Sequence, residues 1–170
     1  MSTNPYLTLF ILRHGKASDH ANTDFDRPLT KKGQQQAAEK GLILKQKLPF
    51  IDTIFCSSAL RTRETLQYSN LDHDQSHIFI QKKLYLCHPE VLLAHINQID
   101  RGKSALLIGH NPGLHQFAYN LLPLYSKTRT PQEDALSASF PKCALAEFQF
   151  SCSDWSQINW HQGSLISFDR

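Results

Sequence analysis

The apolar run at residues 7–12 (LTLFIL) breaks off at Arg13-His14-Gly15. So short a run, without polar alternation and rich in β-branched and aromatic side chains, fits a strand buried on both faces of a parallel sheet. Parallel strands need crossovers, and the chain supplies them. Thr30 reads as the N-cap of a helix that carries Ala37, Ala38, Gly41, Leu42 and Leu44 inward and ends near Pro49. Residues 52–56 (DTIFC) read as a second strand, Ser57 or Ser58 as the cap of a helix over 60–68, and residues 77–81 (HIFIQ) as a third strand. Pro89 suits the first turn of a helix through Val91, Leu92, Leu93 and Ile96. Residues 104–108 (SALLI) then form a buried strand ending at Gly109-His110-Asn111-Pro112-Gly113, followed by a helix through Phe117, Leu121 and Leu122.

Residues 123–141 carry little periodicity and are expected to form a long connection bordering a functional site. Residues 143–150 and 164–168 alternate as two last strands, an antiparallel hairpin joined around Trp155. The alternation predicts an α/β fold: a three-layer sandwich with a mostly parallel central sheet flanked by helices. With 170 residues, the chain has the length of one domain, residues 1–170.

Composition narrows the field. The 18 basic and 15 acidic residues are scattered, which argues against nucleic-acid binding. The start of the chain has no basic region ahead of its short apolar run, so neither export nor a membrane span is expected. Cys56, Cys87, Cys143 and Cys152 form no CxxC pair, and reduced thiols in the cytoplasm are the expectation. No heptad pattern appears, so a monomer is expected.

Three strand ends carry polar clusters: Arg13-His14-Gly15, Ser57-Ser58 leading to Arg61, and His110-Asn111. In a parallel sheet all three face one edge, where such folds bind ligands. Two arginines and two histidines converging there suit a dianionic phosphoryl group, because guanidinium forks match its oxygens in pairs and stay charged. One imidazole is then free to attack. Gly15 beside His14, and Gly113 after His110, permit a turn and close ligand approach.

The ordered set Leu12-Arg13-His14-Gly15-Lys16-Ala17, Asp26-Arg27-Pro28-Leu29-Thr30 with Gly33 and Ala37, Ser57-Ser58-Ala59-Leu60-Arg61 with Thr65, and Gly109-His110-Asn111-Pro112-Gly113-Leu114 resembles the histidine phosphatase superfamily. Within it, the chain is similar to the small SixA-type phosphohistidine phosphatases. The resemblance spans nearly the whole chain and implies a phosphoglycerate mutase-like fold. It implies that His14 is the phosphorylated nucleophile, that Arg13, Arg61 and His110 complete the phosphate pocket with Gly15 close to the ligand, and that Arg27 adds to its rim. His14 must attack as neutral imidazole, its other ring nitrogen fixed by a hydrogen bond such as one to a carbonyl near Gly15. A charged or donating His110 would stabilise the transferring oxygens, and neither a metal nor another cofactor is needed.

Phosphoester-cleaving relatives add a carboxylic acid after the third strand. Here Glu90 is the available carboxylate, and its position reads instead as the first turn of a helix. A phosphohistidine substrate relieves the need, since its leaving imidazole has a pKa of roughly 6.5 and can depart protonated. The short stretch at 68–77 leaves the site open to a phosphorylated side chain on another protein, for instance a phosphorelay domain. Departures from the family pattern are Thr62, Glu64 and His115; His115 is read as an exposed helix residue.

Other chemistries fit poorly. A cysteine phosphatase needs Cys-x5-Arg, and neither Arg61 nor Arg63 stands at that distance from Cys56. The nine histidines form no HExxH motif. A small-molecule phosphomonoester hydrolase and a phosphate-binding or phosphoprotein-binding module without turnover remain as alternatives.

Overall fold

A computed structural model describes residues 6–72, 77–124 and 129–170. Parts of the 68–77 stretch and of the 123–141 connection lie outside these described residues, as does the start of the chain. One sheet has the strand order β3-β2-β4-β1-β5-β6. Its strands are β1 (Leu7–Arg13), β2 (Thr53–Ser57), β3 (Ile78–Gln81), β4 (Ser104–Gly109), β5 (Leu145–Phe150) and β6 (Ser164–Asp169). The first four run parallel, while β5 lies antiparallel to β1, and β6 to β5. The last two strands form the expected hairpin, with Trp155 in a short helical turn of its connection.

The unbroken apolar character of β1 now has its reason. Leu9 and Ile11 face one cluster with Leu107, Leu92, Ile96, Phe117 and Leu121, whereas Phe10 and Leu12 face another with Leu106, Ile108, Leu44 and Leu66. Helices α1 (Lys31–Lys47) and α2 (Leu60–Ser69) cover the second face; α3 (Pro89–Ile96), α4 (Gly113–Leu121) and α5 (Pro131–Ala138) cover the first. The result is the three-layer α/β sandwich anticipated above.

Thr30 caps α1 as expected, its hydroxyl accepting from the Gly33 N–H. Ala38 and Leu42, however, are exposed. The buried stripe is Gly33, Ala37, Lys40, Gly41 and Leu44, and a helical step of about 100° carries positions 38 and 42 off it. Lys40 can join the stripe because its ammonium reaches Asp169 at 2.5 Å, leaving the apolar stem to pack.

The helix α2 starts without the expected serine cap: its N-cap is Ala59, with no side-chain bond. The Ser57 hydroxyl is turned to His110 instead. The supposedly aperiodic connection contains α5, opened by Thr130 and Pro131 and closed reciprocally by Glu133 in a capping box. His115, expected to be exposed, is half-buried, with Nε2 2.7 Å from the Leu136 carbonyl. It thereby ties α4 to α5. Among the described residues no helix is long and apolar enough to cross a membrane.

Candidate active site

Parallel register brings three strand ends to one edge. Arg13 of β1 pairs with Gly109 of β4, and Cys56 of β2 with Ile108, so His14, Ser57 and His110 emerge together. The His14 backbone is clamped from two sides: its N–H donates to the Gly109 carbonyl at 3.3 Å, and its carbonyl accepts from the Cys143 N–H at 3.0 Å. Its Nδ1 lies 2.7 Å from the Gly15 carbonyl. A carbonyl can only accept, so the proton sits on Nδ1 and the lone pair on Nε2. A carbonyl near Gly15 is one partner the sequence allows for this hydrogen bond. Arg61 Nε donates to that Nε2 at 3.3 Å.

Gly15 has a second reason to be glycine. A Cβ there would lie 2.6 Å from the Gly33 carbonyl oxygen, so the first turn of α1 closes directly on the loop. The Gly15 N–H donates to the Thr65 hydroxyl at 3.1 Å.

Around His14 stand the other residues singled out by the sequence. The His110 ring lies 5.2 Å from the His14 ring, with its Nε2 2.7 Å from the Ser57 hydroxyl. Arg13 Nη1 donates to the Phe140 carbonyl at 2.9 Å, and the same carbonyl accepts from Asn111 Nδ2. The end of the 123–141 connection therefore does border the site. Arg13 Nε and His110 Nδ1 are buried without a hydrogen-bond partner. Buried polar groups are nearly always paired, and both of these can donate to an anion.

Burial dominates the electrostatics. It lowers the His14 pKa to about 4, helped by the positive charges of Arg61, Arg13 and Lys142 and opposed by the Gly15 hydrogen bond. Burial likewise takes His110 to about 3, with His14 and Arg61 adding to the effect. Both rings are neutral at neutral pH. In the free protein His110 is thus neutral, with Nδ1 available as a donor. In an NMR titration of the free protein, both imidazoles are expected to stay neutral down to about pH 5. A midpoint near 6.5 for either would mean that solvent reaches it freely.

Arg27 is placed differently. Its guanidinium binds Asp19 at 2.6 Å and Asp24 at 3.0 Å, and its Nε donates to the Ser18 carbonyl. It meets the cluster through Asp24, whose carboxylate also pairs with Arg61 at 2.9 Å. Glu90 is exposed in the first turn of α3, in keeping with the dipole reading. Among the described residues no three His, Cys, Asp or Glu side chains gather as a metal-binding group.

A sequence model of the histidine phosphatase superfamily (branch 1) matches residues 9–84, the segment that carries Arg13, His14 and Arg61. A phosphohistidine phosphatase SixA homolog of Haemophilus influenzae is 28% identical over 176 residues, covering 95% of this chain and 99% of its own. The chain is thus similar to the histidine phosphatase superfamily, over residues 9–84 for the family model and over nearly its whole length for the SixA-type relatives. A candidate phosphohistidine phosphatase SixA from Nakamurella multipartitia superposes with a TM-score of 0.84 at 25% identity, over 97% of this chain and 96% of the other. The uncharacterized protein Rv1276c of Mycobacterium tuberculosis is 28% identical over 92% of this chain and 98% of its own. Fold alone is shared with phosphoglycerate mutase from Plasmodium falciparum, at TM-score 0.63 and 17% identity over 97% of this chain and 91% of that one.

Two residues of the site escaped the sequence reading. Asp24 binds Arg61 twice, through its carbonyl at 2.5 Å and its carboxylate at 2.9 Å. Its carboxyl is held well below the usual carboxylate range, first by the Tyr85 hydroxyl and then by Arg27 and Arg61. Tyr85 donates to that carboxylate and presents its ring edge-on to His110 at 5.3 Å. Spacing could hint at Asp24, three residues before Arg27. Tyr85 carries no such signal, because a lone tyrosine after the third strand has no spacing that ties it to Asp24 or Arg61. The departures Thr62 and Glu64 are structural: Thr62 binds the Ser57 and Ala59 carbonyls, and Glu64 accepts from the Leu29 N–H.

Proposed function

We propose that this phosphatase dephosphorylates a protein phosphohistidine through a covalent phospho-His14 intermediate, without a metal ion. The observation that carries this reading is the neutral His14 imidazole, its Nδ1 tied to Gly15 and its Nε2 lone pair directed at Arg61. In the first step Nε2 of His14 forms a bond to phosphorus while the P–N bond of the substrate breaks. The leaving imidazole departs as a neutral ring, carrying the proton it brought. In the second step water attacks phosphorus, the bond to Nε2 breaks, inorganic phosphate leaves, and His14 is restored.

Charge on the transferring oxygens is met by Arg13, Arg61 and the donating His110, all held in place before the substrate arrives. Arg27 contributes from the rim through Asp24. Glu90 is read as a first-turn residue of α3 and not as a leaving-group acid, a reading that favours P–N over P–O cleavage. The named activity of the Haemophilus influenzae homolog supports the same substrate class. Four free thiols suit a reducing compartment, so we place a monomeric, single-domain enzyme in the cytoplasm.

Phosphate release from a phosphohistidine-bearing phosphorelay domain is the direct test, run in EDTA beside an alkyl phosphomonoester. Turnover that survives chelation, with phosphohistidine preferred by at least about tenfold in kcat/KM, is the expected result. Preference for the phosphomonoester would replace this reading by a small-molecule hydrolase. Binding of phosphate with no turnover of either substrate would replace it by a binding module.

A further inference from the structure

We propose that Tyr85 is a positioning residue of the phosphoryl-transfer site: its phenol holds the Asp24 carboxylate, and Asp24 holds the Arg61 guanidinium with Nε facing Nε2 of His14. The inference rests on the reading of His14 as the phosphoryl acceptor.

Tyr85 is brought to the site by the loop that follows β3, anchored by the buried Leu84 before it. After β3 the chain makes one short helical turn, Lys82–Leu84, and then places Leu86 at φ 49°. A leucine is disfavoured in this left-handed region, and such conformations persist where the surroundings enforce them. The consequence is an inward Tyr85 and an outward Leu86, which is 49% exposed. The loop is pressed on the turn that carries His110, because a Cβ at Gly113 would lie 1.9 Å from the Cys87 carbonyl oxygen. Tyr85 and His110 are therefore located by the same backbone contact.

From that position Tyr85 touches three elements. Its hydroxyl donates to Asp24, its ring meets the His110 ring edge-on, and Arg61 Cζ lies 5.7 Å from the ring centroid. Phe25 packs edge-on against it at 5.1 Å, while the Phe25 carbonyl accepts from the Leu60 N–H at the start of α2. The Asp24-Phe25 segment is thus pinned between the Tyr85 loop and the helix that carries Arg61.

The physical need is clear from Asp24's alternatives. Its carboxylate is about half exposed and has a second cation in Arg27 on the solvent side. Arg27 holds Oδ1 and Arg61 holds Oδ2, so a turn of the carboxylate toward Arg27 and water would loosen the Arg61 contact. A phenol donating to Oδ2, the oxygen that accepts from Arg61 Nη2, fixes that oxygen against Arg61, while the Asp24 backbone carbonyl accepts from Nη1. The remaining Nε–H is then left for Nε2 of His14 or for a phosphoryl oxygen in its place. A fixed fork of this kind loses less freedom on meeting the substrate than a mobile one does.

The test uses Y85F, which keeps the ring contacts with His110 and Arg61 and removes only the hydroxyl, alongside D24N and the double variant. For phosphate release from a phosphohistidine protein, Y85F is expected to lower kcat about tenfold with little change in KM or Tm. In the D24N background the same change is expected to do almost nothing, because the phenol acts through the carboxylate. A loss that multiplies undiminished in the double variant, or a Y85F enzyme equal to wild type, would overturn the proposal. Binding of inorganic phosphate by calorimetry separates this failure from failure of the functional reading. Should wild type bind phosphate without turnover, a several-fold weaker affinity in Y85F that vanishes in the D24N background would keep Tyr85 as the positioning residue, and equal affinities would remove it.

Discussion

Replacing His14 by alanine is expected to lower the rate of phosphate release by about 10⁴-fold or more while leaving inorganic phosphate bound within about tenfold of wild type. The size follows from what is lost. Removing the nucleophile of a covalent mechanism leaves only binding and electrostatic stabilisation, and in other covalent enzymes such losses reach about 10⁶ in kcat. Affinity survives because Arg13, Arg61 and His110 carry the anion, and none of them depends on the imidazole for its backbone position. Folding should suffer modestly: the Gly15 carbonyl loses its donor, at about 1–3 kcal/mol for a buried group left unsatisfied. Two measurements check this. Thermal unfolding confirms that the variant is folded, and wild type quenched during turnover in alkali should carry an alkali-stable phosphoryl label that His14→Ala lacks. Turnover in the variant within tenfold of wild type would sink the covalent mechanism.

The acid dependence of the same nucleophile has a definite sign. Burial lowers the His14 and His110 pKa values in the folded protein relative to about 6.5 in the unfolded chain. The unfolded state therefore binds more protons in the window between about 4 and 6.5, and stability falls as pH drops through it. The buried, uncharged pair that the proposed mechanism needs at neutral pH is thus a stability cost in acid. Asp24 works in the opposite sense. Its depressed carboxyl favours the folded state above the ordinary carboxylate range and loses that contribution only in stronger acid.

How much of this was legible in the sequence depended on whether a residue's partner lies along the strands or across the loops. The β1, β2 and β4 ends carry Arg13, His14, Ser57 and His110, and parallel register alone brings them to one edge. Unbroken apolar runs are a strong signal, so this part of the site could be read directly. The His14 tautomer was only half legible: the need for a hydrogen bond on its other ring nitrogen could be argued, but the Gly15 carbonyl as its partner is given by the structure. Asp24 and Tyr85 could not be read this way. They sit in two loops far apart in sequence and meet through α2 and the His110 turn, a contact that no periodicity encodes. Ser57 was misassigned for a related reason: a serine ahead of a helix satisfies the capping rule, and only the fold reveals that His110 competes for its hydroxyl. In α5, by contrast, the signal was present as Thr130, Pro131 and Glu133, but the absence of an apolar stripe obscured it, since Leu136 is the one buried residue of that helix.

Arg61→Ala is the second large effect, an expected loss of about 10³-fold in kcat/KM with a well-folded protein. Arginines that meet the charge of a transferring phosphoryl group are worth about 10³–10⁵ in rate, and Arg61 is the guanidinium that donates to Nε2 of His14. Its removal should cost little stability. The Asp24 carboxylate it leaves behind is about half exposed, so water and Arg27 can take over. Arg61→Lys should recover only a small part of the rate: an ammonium is a point charge and cannot fill both Asp24 acceptors while directing a third donor at His14. A further consequence separates loss of a charge from general damage to the site. Arg61 depresses the pKa of both His14 and His110, so taking that cation away makes protonation easier, and both imidazole midpoints should climb from about 4 and about 3 toward the ordinary 6.5. In Arg61→Lys the charge remains and the midpoints should stay low although activity is lost. The NMR titration reads this directly. Unmoved midpoints in Arg61→Ala would mean that burial alone keeps the imidazoles neutral and that Arg61 serves only the phosphoryl group.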